Sequence, residues 1–157
     1  MSVLATFTIR GNIKNNDPLI VEKSMSMKVV IADDSSLMRD RIRILLNNFI
    51  EVIVVGEAEN GVDALQMIRE KEPDLAILDI RMPDINGIEV LKKIRKLKMK
   101  TKICILTSYP YPQYRKRCLE EGADFFLSKT EDFEKITIVI TNMSLDKIQH
   151  NDKSILN

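Results

Sequence analysis

Five short apolar segments recur after residue 26, and the stretches between them carry apolar residues at helical spacing. The segments are Lys28–Ala32, Val52–Val55, Leu75–Leu78, Ile103–Leu106 and Phe125–Leu127. A short run of branched or aromatic residues bounded by turn-forming residues predicts a buried strand. Strands that alternate with amphipathic helices predict a parallel sheet covered on both faces. We therefore expect an α/β fold with a five-stranded, doubly wound parallel sheet.

Cap and turn residues mark the helices that join these strands. Ser35 or Ser36 can serve as the N-cap of the first helix, and Gly122 is a typical helix terminator. The expected helices begin near Ser35, near Asn60-Gly61, at Gly87, near Tyr114 and near Glu131, and the last one ends near Gln149. Gly56 is expected to close the second strand, and Pro73 to end the second helix.

Residues 1–26 differ from the rest of the chain because Asn, Gly, Asp and Pro residues mark them as loop. A short strand could lie at Val3 to Ile9. The plainer alternative is a flexible arm, or a start codon assigned too early, with Met25 or Met27 as the true start. We therefore divide the 157 residues into an N-terminal extension (1–26), one domain (27–149) and a polar C-terminal tail (150–157).

Composition excludes several classes of protein. The net charge is +1, with 30% charged residues, so no broad positive field favours nucleic acid or a membrane surface. No apolar run approaches the roughly 20 residues of a membrane span, and no signal peptide is evident. The two cysteines form no CxxC motif and fit a reducing compartment. We expect a cytoplasmic protein without direct contact with nucleic acid or membrane.

Four of the five predicted strands end in residues that carry a charge or a hydroxyl group. Asp33 and Asp34 follow the first strand, Asp79 the third, Thr107 the fourth and Lys129 the fifth. The C-terminal ends of parallel strands share one edge of the sheet, where open α/β folds hold their ligands. These five side chains are therefore expected to converge.

The chemistry of this set points to a metal ion and a phosphoryl group. Three carboxylates repel one another unless a cation neutralises them. Oxygen ligands alone suit Mg²⁺, whereas the absence of Cys and His ligands argues against zinc. An aspartate beside Mg²⁺ is a known type of phosphoryl-accepting nucleophile. The set therefore predicts that Asp79 becomes phosphorylated.

The chain from residue 27 to about 145 resembles the receiver domain of two-component response regulators. The motifs that carry the resemblance are Ala32-Asp33-Asp34-Ser35, Gly56-Glu57-Ala58-Glu59-Asn60-Gly61, Leu78-Asp79-Ile80-Arg81-Met82-Pro83, Gly87, Leu106-Thr107-Ser108, Gly122-Ala123 and Ser128-Lys129. The resemblance implies a flavodoxin-like fold with strand order 2-1-3-4-5. It also implies that a phosphohistidine of a sensor kinase is the source of the phosphoryl group.

The resemblance implies a role for each matching residue. Asp79 is the phosphoacceptor, and Asp33, Asp34 and Asp79 hold Mg²⁺ with the backbone carbonyl of Arg81. Thr107 bonds the phosphoryl group, and Lys129 pairs with its oxygens. Phe126 matches the aromatic switch residue that rotates as Thr107 moves inward. All these roles are expectations at this point.

Two positions depart from the family pattern. Thr130 stands where proline usually follows the lysine, so the loop to the last helix could take another path. Phe126 stands where tyrosine is frequent, so a contact that needs the hydroxyl group is absent. Plainer interpretations also exist, since Asp33 and Asp34 could cap the first helix and Phe126 could be an ordinary core aromatic.

We expect a stand-alone receiver, because the residues after Lys129 suffice for one helix but not for a DNA-binding output domain. Its partners would be a sensor histidine kinase or phosphotransfer protein and a downstream protein effector, with a homodimer as a further option. It would not be an enzyme beyond accepting and losing its own phosphoryl group. The alternatives are a phosphohydrolase with an aspartyl-phosphate intermediate and a receiver-like scaffold that is not phosphorylated.

Overall fold

Five parallel strands form one sheet in the order β2-β1-β3-β4-β5. The computed structural model describes the backbone of residues 26–155 and the side chains of residues 26–150. The strands are β1 (Met27–Ala32), β2 (Val52–Ala58), β3 (Leu75–Leu78), β4 (Lys102–Thr107) and β5 (Phe125–Ser128). This sheet confirms the predicted fold class and strand order. The possible strand at Val3 to Ile9 lies outside the described residues.

The described part of the chain contains five α-helices, which lie between and after the strands. They are α1 (Ser36–Leu46), α2 (Gly61–Lys71), α3 (Gly87–Lys96), α4 (Pro112–Glu120) and α5 (Ile136–Ile155), with a 3-10 turn at Phe133–Lys135. Ser35 and Asn60 cap α1 and α2, since their side chains accept hydrogen bonds from the backbone N–H groups of Met38 and Asp63. Within residues 26–155, no helix combines the length and the apolar character that crossing a bilayer requires.

The sheet separates two hydrophobic cores because strand side chains alternate between its faces. Helices α2, α3 and α4 contribute to one core, together with Val30, Ala76, Ile105 and Phe126. Helices α1 and α5 contribute to the other core. Covered on both faces, the central strands β1, β3 and β4 are almost wholly buried.

Several boundaries differ from the sequence-based prediction. Strand β2 continues past Gly56 to Ala58, because a register shift opposite Val29/Val30 lets its last residues pair with the end of β1. Helix α4 begins at Pro112 rather than near Tyr114, since proline is well suited to the first helical turn. Helix α5 begins at Ile136, after a loop and the 3-10 turn, rather than near Glu131, and it continues to Ile155 rather than ending near Gln149, so it extends into the predicted tail.

Candidate functional site

Backbone hydrogen bonds align the ends of the strands that carry the predicted site residues. Ala32 pairs with Leu78 across β1 and β3, so Asp33 and Asp79 leave the sheet side by side. The Asp79 N–H donates to the Ala32 carbonyl at 2.8 Å. On the other side, the Lys129 N–H donates to the Thr107 carbonyl at 2.9 Å. The register therefore places these residues along one edge, as the sequence predicts.

Lys129 joins two buried carboxylates at this edge. Its Nζ lies 2.6 Å from Oδ2 of Asp33 and 3.1 Å from Oδ2 of Asp79. Asp33, Asp79 and Lys129 are only 1%, 5% and 8% exposed. Burying unpaired charges is costly, so one ammonium group shared by two carboxylates stabilises the set without neutralising it.

Asp34 completes an acidic cluster with Asp33 and Asp79. The three residues offer carboxylate oxygens that all lie within 4.8 Å of one another, and Asp34 is exposed to solvent. Among the described residues, Oδ1 of Asp79 is the one buried side-chain oxygen or nitrogen that has no hydrogen-bond partner. Such an atom needs an explanation, and an oxygen-only donor set fits Mg²⁺.

Burial and neighbouring charges shift the two central ionisable groups. Burial raises the pKa of Asp79, and the charge of Asp33 adds to this effect, although Lys129 opposes it. Burial lowers the pKa of Lys129, but its hydrogen bond to Asp33 and the two carboxylate charges outweigh that effect, so its pKa is raised. The ammonium group therefore stays charged, whereas the charge on Asp79 is disfavoured until a further cation arrives.

The backbone and the side chain of Asp33 both form hydrogen bonds that the sequence did not indicate. Its N–H donates to the Ala58 carbonyl, and its Oδ1 accepts from the Ser35 N–H. The Arg39 guanidinium donates to its carbonyl oxygen at 2.7 Å. The plainer interpretation of Asp33 as a cap for α1 fits poorly, because Ser35 provides the N-cap oxygen. With the Lys129 contact, every polar atom of Asp33 has a partner, whereas one carboxylate oxygen of Asp79 has none.

Thr107, the last residue of β4, and Phe126, in β5, are both buried. Oγ1 of Thr107 accepts a hydrogen bond from the Tyr109 N–H at 3.0 Å. Phe126 is 4% exposed and belongs to the core to which α2, α3 and α4 contribute. The Arg115 guanidinium carbon lies 5.0 Å from the centre of that ring, and the same side chain donates to the Phe126 carbonyl. These two contacts of Arg115 with Phe126 were not predicted from the sequence.

Arg81 and Tyr109, each two residues after a predicted site residue, contact one another. The Arg81 guanidinium carbon lies 3.7 Å from the centre of the Tyr109 ring, which is close enough for a cation–π interaction. Beside the cluster is a cleft of about 500 Å³ that Asp34, Arg81, Tyr114 and Arg117 help to line. The proposed ligation by the Arg81 carbonyl stays a prediction.

A larger cavity of about 610 Å³ lies at the opposite edge of the sheet. Asp74 and Lys147, which help to line it, pair with each other at 3.0 Å, and none of its lining residues belongs to the cluster of possible metal ligands found among the described residues. We therefore place the functional site at the Asp79 edge, where charge is concentrated and only partly neutralised.

Comparisons of the sequence with known proteins point to a single family. The family model described as "Response regulator receiver domain" matches residues 29–141. A putative transcriptional regulator of Pseudomonas aeruginosa is 43% identical over 111 residues, which cover 71% of this chain and 53% of that protein. The chemotaxis protein CheY of Halobacterium salinarum is 35% identical over 115 residues, which cover 73% of this chain and 92% of that protein.

Solved structures of similar shape are also receiver domains. The receiver domain of the putative response regulator NarL from Mycobacterium tuberculosis has a TM-score of 0.70 at 31% identity, covering 75% of this chain and 96% of that one. The response regulator domain of Thermotoga maritima CheB has a TM-score of 0.68 at 27% identity, covering 79% and 97%. The chain spans about half the length of several curated relatives that it matches, including the Pseudomonas protein at 53%.

Proposed function

The chain belongs to the response regulator receiver domain family, and we propose that it accepts a phosphoryl group on Asp79 from a phosphohistidine. The donor would be a sensor histidine kinase or a phosphotransfer protein. The observation that carries this proposal is the state of Asp79, which has one oxygen paired with Lys129 and one buried oxygen without a partner. A carboxylate held in this way is oriented but still able to form a new bond.

The proposed transfer needs little from the protein beyond position and charge. A carboxylate oxygen of Asp79 attacks phosphorus, the new P–O bond forms, and the P–N bond breaks with its electron pair on the imidazole nitrogen, which takes up a proton. Lys129, whose Nζ lies 3.1 Å from Oδ2 of Asp79, would pair with the phosphoryl oxygens. Asp33, Asp34 and Asp79 would hold Mg²⁺ with the Arg81 carbonyl. When bound, Mg²⁺ neutralises carboxylate and phosphoryl charge.

We propose that phosphorylation is read out through Thr107 and Phe126. The Thr107 hydroxyl can donate to a phosphoryl oxygen on Asp79, which would draw the start of the β4–α4 loop inward. Phe126 lies on the neighbouring strand, opposite Ile105, and its ring contacts Arg115 of α4. The surface formed by α4, β5 and α5 would then change its affinity for a protein partner, or for a second copy of this chain.

Water would later hydrolyse the aspartyl phosphate, so the protein would act as its own substrate rather than as an enzyme with turnover. A phosphohydrolase usually has a second acid two residues after the nucleophile, and in this chain Arg81 occupies that position against Tyr109. A stand-alone, cytoplasmic receiver stays a prediction, and the size of the endogenous protein in the soluble fraction of a cell lysate tests it.

The proposal is tested with the purified protein, Mg²⁺ and acetyl phosphate. We expect at most one phosphoryl group for each chain, sensitive to hydroxylamine as an acyl phosphate is. Sustained release of phosphate from a phosphomonoester would instead favour the phosphohydrolase. If beryllofluoride with Mg²⁺ produces no change in the NMR spectrum, the unphosphorylated scaffold is the better interpretation.

A further inference from the structure

The loop between β5 and the 3-10 turn is closed by two reciprocal hydrogen bonds. The Ser128 N–H donates to Oδ2 of Asp132 at 3.0 Å, and the Asp132 N–H donates to the Ser128 carbonyl at 3.0 Å. The Asp132 side chain is 15% exposed, so this carboxylate is largely part of the loop rather than a solvated surface group.

The Ser128 hydroxyl fills the interior of the same loop. Its Oγ lies 3.3 Å from the N–H groups of both Thr130 and Glu131, and 3.0 Å from the Thr130 hydroxyl. Side chains of Ser and Asp commonly organise turns through such local bonds. The Ser128–Asp132 loop is therefore ordered although Thr130 occupies the position where the family usually has proline.

Lys129 is the residue that this loop presents to the site. Its backbone N–H is bound to the Thr107 carbonyl on one side, and the Ser128–Asp132 bonds fix the chain on the other side. The long lysine side chain then reaches Asp33 and Asp79 with little freedom to move away. A lysine held at both flanks loses less conformational entropy when it binds a further anion.

We propose that Asp132 is a positioning residue for Lys129 in phosphoryl acceptance. Its carboxylate constrains the path of the loop after Lys129, where the family usually has a proline. This inference rests on the proposed function. Asp132 touches no reacting atom, and it acts by holding the Ser128–Asp132 loop in the path that directs the ammonium group at Asp79.

A plainer role for Asp132 is a surface ion pair with Lys135, whose Nζ lies 2.5 Å from Oδ1. Lys135 is 59% exposed, and exposed pairs contribute little to stability. The hydrogen bonds from Lys135 and from the Ser128 N–H lower the pKa of Asp132, so the carboxylate stays charged at neutral pH. Because its two oxygens have different partners, substitutions can separate the two roles.

The test compares Asp132→Ala, Asp132→Asn and the control Lys135→Met with wild type. Asparagine keeps an oxygen that can accept the Ser128 N–H, whereas alanine does not, and Lys135→Met removes only the ion pair. We measure the rate of phosphorylation by acetyl phosphate with Mg²⁺, the affinity for Mg²⁺ by NMR titration, the free energy of unfolding, and the side-chain NMR shifts of Lys129.

We expect Asp132→Ala to slow phosphorylation by about tenfold or more, the scale expected from a small misplacement of a reacting group. Its Mg²⁺ affinity should stay equal or rise, because a displaced ammonium competes less for Asp33 and Asp79. Asp132→Asn should keep at least about half of the wild-type rate, and Lys135→Met should behave as wild type. The Lys129 shifts should move only in the alanine variant.

Two results would overturn the inference while leaving the proposed function intact. One is a wild-type phosphorylation rate in Asp132→Ala. The other is a parallel loss of phosphorylation, Mg²⁺ affinity and stability, which would show a general structural role. If the wild-type protein itself accepts no phosphoryl group, the proposed function fails and the positioning role fails with it.

Discussion

Lys129 and Asp33 form a buried ion pair, with 2.6 Å between Nζ and Oδ2, and the same ammonium group reaches Asp79 at 3.1 Å. One positive charge thus stands against three carboxylates, because Asp34 belongs to the same cluster. This imbalance is the physical basis of the site, since it leaves the cluster able to take up a cation and a phosphoryl group.

Removing the lysine should make the folded state depend on Mg²⁺. Lys129→Met leaves two buried carboxylates without a counter-charge, so we expect the free energy of unfolding at neutral pH to fall by about 3 kcal/mol without Mg²⁺. Saturating Mg²⁺ should recover part of this loss, because it binds the folded state. Urea unfolding with and without Mg²⁺ measures both effects. Equal stability of variant and wild type without Mg²⁺ would contradict the ion-pair account.

Asp79 should reduce stability at neutral pH. Burial is the main cause that raises the pKa of Asp79 in the folded state above the ordinary value of 3.8. The folded state therefore binds a proton at Asp79 more tightly than the unfolded state does. The stability linked to that proton is complete below the unfolded pKa and is lost as pH rises through the folded pKa. Asp79→Asn should therefore be more stable than wild type at pH 7 without Mg²⁺, with the difference shrinking in acid. A difference that is constant across a pH series of urea titrations would refute this.

Gly87 should be intolerant of a side chain. A Cβ at this position would lie 2.0 Å from the carbonyl oxygen of Asp79, and rigid backbone cannot move aside cheaply. We expect Gly87→Ala to cost about 3 kcal/mol or more and to impair phosphorylation. Gly56→Ala is the matched control, because its Cβ would meet the flexible Met67 side chain at 2.9 Å. Similar thermal unfolding of the two variants would speak against the close approach at Gly87.

The Thr107 hydroxyl should be needed for the switch rather than for phosphorylation itself. Thr107→Val leaves the Tyr109 N–H without its acceptor, at a cost of about 1–2 kcal/mol, whereas Thr107→Ser keeps the oxygen. We expect beryllofluoride with Mg²⁺ to shift the NMR resonances of the Phe126 ring in wild type and Thr107→Ser, but not in Thr107→Val. Identical ring shifts in all three proteins would rule out this coupling.

The fold and the convergence of the charged strand ends could be predicted because both follow from local patterns. Apolar runs ending in Asp33, Asp79, Thr107 and Lys129 specify strand ends, and parallel strands bring such ends together. The extension of β2 to Ala58 was missed because Gly56 is a strong turn signal, and only pairing with β1 carries the strand past it.

The supporting contacts of the site were not predictable in the same way. Arg39, Arg115 and Asp132 are ordinary charged residues in the sequence, and their roles depend on which backbone atoms the fold brings near them. Of the three, Asp132 left a partial signal, since Ser and Asp flanking a lysine without a following proline are typical turn-forming residues. Because the last helix was expected to begin near Glu131, Asp132 was assigned to that helix rather than to a turn.

The central claim is that Asp79 is the phosphoryl acceptor, and its most direct test is mass spectrometry after incubation with acetyl phosphate and Mg²⁺. Wild type should gain one phosphoryl group that maps to the peptide containing Asp79, and Asp79→Asn should gain none. Asp124→Asn serves as a control, because Asp124 binds Arg95 and Lys102 away from the site. Wild-type labelling of Asp79→Asn, or a phosphoryl group on another residue of the wild type, would contradict the account.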